Sequence, residues 1–175
     1  MDPLDPFDTT PAPPTMESRL GALLNSMHSA VLEIDANGRL VHANLAARKI
    51  LPDLPPTPAP AEWASEFAQS CTFYDIHGAP MAAGEGPLFN CLRTEEPQRD
   101  WQFTIEFYNG QRLHLLGTAE PLHGSDGRFS GVVCSYQDIT ELINLQKALK
   151  EQLDETRNAA QELRLTHGEL SRAHN

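Results

Sequence analysis

The sequence predicts an α+β protein: one antiparallel sheet of five strands, with short helices gathered over one face. Three observations carry this. The last third holds three runs of alternating apolar and polar residues, divided by Asn109-Gly110 and Ser125-Asp126-Gly127-Arg128. Near the start, two shorter runs flank Asp35-Ala36-Asn37-Gly38. Between these blocks, and again after them, apolar residues recur at helical spacing.

The chain has 175 residues, which suits one domain with extensions. Residues 1–15 contain five prolines and three aspartates and little to bury, and are expected to form a disordered leader. In 16–28, Leu20, Leu23, Leu24 and Met27 recur at helical spacing and predict an amphipathic helix. Its apolar stripe needs a partner, either the sheet or the same helix of a second subunit. The domain proper is expected over 29–138. Val31–Ile34 and Leu40–Ala43 form a hairpin, because Asn37-Gly38 readily takes positive φ. Asn44 then caps a short helix that turns Leu45, Ile50 and Leu51 inward. Residues 52–60 hold five prolines and read as a loop. Trp63, Phe67 and Cys71 mark a helical stripe at spacing four, and Phe73–Met81 reads as an extended stretch and turn. Gly86-Pro87 opens another helix, since proline lacks only an N–H that the first turn leaves unpaired. The meander follows, with Trp101, Phe103, Ile105 and Phe107 on one face and Leu113, Leu115 and Gly117 on the facing strand.

Residues 139–175 read as one long helix of about 55 Å. In a heptad frame Leu142, Leu149, Thr156, Leu163 and Leu170 take position d, and Gln146, Leu153, Ala160 and His167 take position a. The expected dimer seam is Leu142, Leu149, Leu153, Leu163 and Leu170. Leucine at d with mixed, partly polar a positions suits a weak parallel coiled coil.

The formal net charge is -11, which argues against nucleic-acid and anionic-membrane surfaces. No run approaches the length needed to span a bilayer, and the acidic start lacks the layout of a signal peptide. A cytoplasmic location is expected. Cys71, Cys91 and Cys134 are far apart and odd in number, and are expected as buried apolar groups without disulfide or metal. Gly84 and Gly86 read as turn glycines, and Glu85, Glu95 and Glu96 as surface charge.

The stretches GALLNSMHSAVLEIDANGRLVHAN, GEGPLFNCLRTEEP and NGQRLHLLGTAEPLHGSDGRFSGVVCSYQDITE together resemble a PAS domain from about Leu20 to Glu141. The residues that carry the resemblance are Gly38 and Asn44 in the hairpin, Gly127 in the second meander turn, and the triplet Asp138-Ile139-Thr140. The resemblance implies a sensory and dimerisation module whose triplet joins the sheet to an output helix, with Asp138 and Thr140 capping that helix. It also implies an output domain further along, a histidine kinase first and a diguanylate cyclase as the alternative. This chain carries neither an ATP-binding box nor a GGDEF run, so no catalysis is expected from it. A purely structural, ligand-free dimerisation module is the rival reading.

The resemblance further implies a cavity that in relatives holds haem, flavin or a metabolite, or nothing. Asn90-Cys91-Leu92-Arg93 departs at Leu92 from the flavin-bearing motif of light-sensing relatives, Asn-Cys-Arg-Phe-Leu-Gln. His77 and His114 do not fall on the helix that holds haem in oxygen-sensing relatives. Neither cofactor is expected. Phe103, Ile105, Leu115, Val133 and Ser135 either line a site for a small organic ligand or fill the core, and core is the expectation.

Overall fold

Asp or Asn followed by Gly begins each tight turn, and the side-chain oxygen does the same work every time. Asp35 Oδ1 accepts the N–H groups of Asn37 and Arg39 at 2.9 and 3.0 Å. Gly38 follows at φ 81°, and its carbonyl accepts the indole N–H of Trp63 at 3.0 Å. Asp75, Asn109 and Asp126 accept backbone N–H groups two residues on in the same way, each next to or near a glycine of positive φ, Gly78, Gly110 or Gly127.

The structure, a computed structural model, describes residues 13–173, without the side chains of 83 and 166–173. The expected leader therefore lies almost wholly outside the described residues. The elements are α1 (Met16–Ser26), β1 (Ala30–Asp35), β2 (Leu40–Ala43), α2 (Leu45–Ile50), α3 (Trp63–Phe67), β3 (Cys71–Tyr74), β4 (Pro80–Met81), α4 (Pro87–Thr94), β5 (Gln98–Phe107), β6 (Arg112–His123), β7 (Phe129–Asp138) and α5 (Thr140–Ala173). The strands form one antiparallel sheet in the order β2-β1-β7-β6-β5-β3-β4. The fold is α+β, as the sequence predicts.

The sheet has seven strands where five were expected. The two additions, β3 and β4, are the stretch read as an extended run and turn; they pair with each other, and β3 pairs with β5. Cys71 belongs to β3 and not to a helical stripe, because α3 ends at Phe67. In α2, Leu45 faces solvent, while Ala47 and Leu51 are buried.

Helices α2, α3 and α4 cover one face, where Leu32, Ile34, Val132, Cys134, Leu115 and Ile105 form the centre of the core. Gly117 sits under α4: a Cβ there would lie 2.8 Å from Pro87 Cγ and 3.0 Å from the Tyr136 ring. Only glycine lets α4 approach the sheet this closely.

Asn44 is fully buried, and its side chain makes four hydrogen bonds. Oδ1 accepts from Val31 N at 2.9 Å and from Ala47 N at 2.8 Å. Nδ2 donates to Leu24 O at 2.8 Å and to Ser29 O at 3.0 Å. One side chain thus caps α2, fixes the first residues of β1 and ties down the end of α1, which buries none of its own residues. Replacing Asn44 with Ala removes a cap and strands buried donors and acceptors, an expected loss of about 3 kcal/mol. Urea unfolding of Asn44→Ala should show a lower midpoint with an unchanged slope.

Candidate functional site

The described residues offer two places where the fold could respond to a signal. One is the junction between β7 and α5; the other is a cavity under the helices.

At the junction the backbone of His114 on β6 is shared by two neighbours. Its carbonyl accepts the Ile139 N–H at 2.8 Å, and its N–H donates to Thr140 Oγ1 at 2.9 Å. Asp138 Oδ1 accepts the Thr140 N–H at 2.9 Å, which satisfies an orphan donor at the helix start. The last sheet pairing, Leu115 with Asp138, passes directly into these bonds. Ile139 is buried against the sheet, and Ile143 follows four residues later with its N–H on the Ile139 carbonyl. Past this point α5 leaves the domain. The His114 ring shares a 2.8 Å hydrogen bond with Thr104 Oγ1 on β5, so Thr104, His114 and Thr140 form one line from the sheet to the helix.

Thr156 on α5 folds its hydroxyl back onto the Gln152 carbonyl. Leu142, Leu149, Leu153 and Leu163 are exposed, as are Leu145 and Leu165. The side chain of Leu170 lies outside the described residues.

The cavity measures about 50 Å³ and is lined by apolar side chains, among them Leu32, Phe67, Phe103, Ile105 and Leu115, together with Tyr136. Phe103 meets Phe73 on one side and the edge of Tyr136, at 5.7 Å between centroids, on the other. Of the five residues read from the sequence, Phe103, Ile105 and Leu115 line it. Val133 and Ser135 do not: they lie on the opposite face of the sheet, in register with Glu33 and Val31 of β1, and only half-buried. Cys134 and Tyr136 take the inner positions instead. The polar Ser135 between them was the available signal, because a strand alternates with period two.

This cavity does not fit haem or flavin. Its volume is far below the several hundred Å³ that such ligands occupy, and no histidine reaches it. His77 lies in the β3–β4 turn and His114 on the outer face, where both line one groove. Among the described residues no group of His, Cys, Asp and Glu could hold a metal ion.

Cys71, Cys91 and Cys134 are all buried and free. Burial pushes the Cys134 thiol up to about 12, and raises Cys91 and the Tyr136 hydroxyl as well. The folded chain keeps the Cys134 proton while the unfolded chain loses it above about pH 8.5. This thiol therefore lowers stability as pH rises past that point.

The chain matches the family model described as PAS fold over residues 24–144. The chain belongs to the PAS fold family. No helix among the described residues is long and apolar enough to cross a membrane. Among solved structures it is similar to a PAS domain from Colwellia psychrerythraea, with 11% identity, a TM-score of 0.50, and 73% of this chain and 99% of that one covered. It is also similar to a structure described as an RNA-binding light-oxygen-voltage receptor, with 15% identity, a TM-score of 0.50, and 90% and 43% covered. The PAS domain of nitrogen regulation protein NR(II) from Vibrio parahaemolyticus has 19% identity and a TM-score of 0.48, with 72% and 100% covered. At these identities the likeness concerns the fold. A search of curated proteins returned no match.

Two measurements test this geometry. Thr140→Val leaves the His114 N–H without its acceptor, an expected cost of about 1–2 kcal/mol; amide exchange at His114 should quicken while the core strands stay protected. Iodoacetamide should leave all three thiols unmodified in the folded chain and alkylate all three in urea.

Proposed function

We propose that this chain is a cytoplasmic sensory and dimerisation module that passes the state of its PAS domain along α5 to an output domain of the histidine-kinase kind. The observation that carries the reading is the union of sheet and helix at His114, Ile139 and Thr140. A shift of β6 against β7 must move the first turn of α5. The exposed leucines at heptad spacing, Leu142, Leu149 and Leu163 with Leu153 between, supply a seam for a second copy of α5. Met16, Leu20 and Leu23 on α1, with Met27 just past its end, add a second exposed apolar stripe for the same partner. A coupling of about 1–3 kcal/mol between domain and seam is of the usual size. The reading assigns no catalysis, nucleic acid or membrane to this chain.

A second reading, a module that dimerises and holds no ligand, is favoured by the small size of the inner cavity. In the first reading an occupant of that cavity would be small and apolar, because its lining is almost wholly apolar. An absorption spectrum of the purified protein decides between them for any coloured cofactor, and native mass spectrometry for the rest.

Leu149→Asp or Leu163→Asp should convert a dimer to a monomer in sedimentation velocity while circular dichroism retains the sheet. A wild-type chain that is monomeric at micromolar concentration would overturn the dimer.

A further inference from the structure

The groove that His77 and His114 share lies outside the core, between the β3–β4 turn, strands β5 and β6, and the first turns of α5. Its volume is about 440 Å³, much larger than that of the inner cavity. Ile139 and Ile143 give it one apolar wall, and Lys147 stands above them. Residues 139, 143 and 147 are spaced by four, so they form one stripe along α5.

The chain as a whole carries a net charge of -11, yet this groove gathers donors. The sheet supplies Arg112 and the His114 ring, the turn supplies His77, and α5 supplies Lys147. Arg112 is paired with Glu106 on the exposed side and lies 5.8 Å from the Tyr74 ring centre. The one carboxylate in the lining, Asp75, has Oδ1 engaged by the N–H groups of His77 and Ala79, both at 2.8 Å. Lys147 makes no ion pair among the described residues. The titratable and charged groups lining the groove beside His114 are Tyr74, Asp75, His77, Arg112 and Lys147, and Glu106 stands next to it, taking Nε and Nη2 of Arg112 on one carboxylate oxygen.

We propose that this groove binds a small anion, a phosphate or a short carboxylate, held between Arg112 and His114 on the sheet and Lys147 on α5. Such an anion bridges the residue whose backbone anchors the helix and a residue two turns along that helix. It clamps the start of α5 to the sheet without entering the core. The inference rests on the junction geometry and not on the dimer, so either can fail alone.

The test is calorimetric titration of the full chain with inorganic phosphate and, separately, with succinate, against sodium chloride of equal ionic strength. Saturable binding of either anion is expected, and which of the two binds assigns the source. Lys147→Met, at an exposed helical position, should weaken binding by about tenfold. His114→Gln keeps the backbone bonds and should also weaken binding, because it removes a ring that lines the groove. Absence of saturable heat with both anions overturns the proposal. So does binding that Lys147→Met leaves unchanged.

Discussion

The four hydrogen bonds of Asn44 hold together three segments that would otherwise have little reason to meet. A buried amide offers two acceptor sites and two donors, and leaving any of them empty is costly. Here all are filled, by the end of α1, the entry to β1 and the first turn of α2. The hairpin's position follows, because β1 then runs between β2 and β7. The placement of β7 between β1 and β6 fixes in turn where α5 must start. A shorter or purely apolar side chain at this position would leave the Leu45 N–H bond to Asn25 as the hydrogen bond that still ties α1 to α2 among the described residues.

The sheet divides its two faces between different tasks. The inner face is closed by α2, α3 and α4 and is almost wholly apolar, with aromatic pairs running from Phe67 through Phe73 and Phe103 to Tyr136. The outer face is half-exposed and carries Thr104, His114, Ser135 and Val133. His114 stands where the two faces meet the helix: its backbone holds the start of α5 and its ring bonds Thr104 on the outer face.

Much of this was legible in the residues, because the strongest signals are local. Turns built from Asp or Asn with Gly read correctly at residues 35–38, 109–110 and 125–128, since the side chain and the positive φ are short-range requirements. The helix after Asp138 was legible for the same reason. Other features were not. Strands β3 and β4 hold only four and two residues, too few for a periodic signal, and they are stable only because β5 offers an edge. Cys71 fell in step with Trp63 and Phe67 by spacing alone. In β7, three successive apolar residues, Val132, Val133 and Cys134, hide the parity of the strand, so Val133 and Ser135 were assigned to the wrong face. The outer groove was invisible because Asp75, Arg112 and Lys147 are distant in sequence and meet only through the order of the strands.

The stripe of Ile139 and Ile143 and the stripe that begins at Leu142 lie on the same rigid rod, and successive residues are turned by about 100°. Ile139 and Leu142 are thus roughly 60° apart around the axis. Any motion that lifts Ile139 from β6 works like a crank. It cannot lengthen the helix, whose backbone bonds are closed, but it can roll it. The leucines further along then sweep the same angle, whatever the distance. What such a motion would carry past the domain is a rotation, with a reach set by how far the rod stays helical.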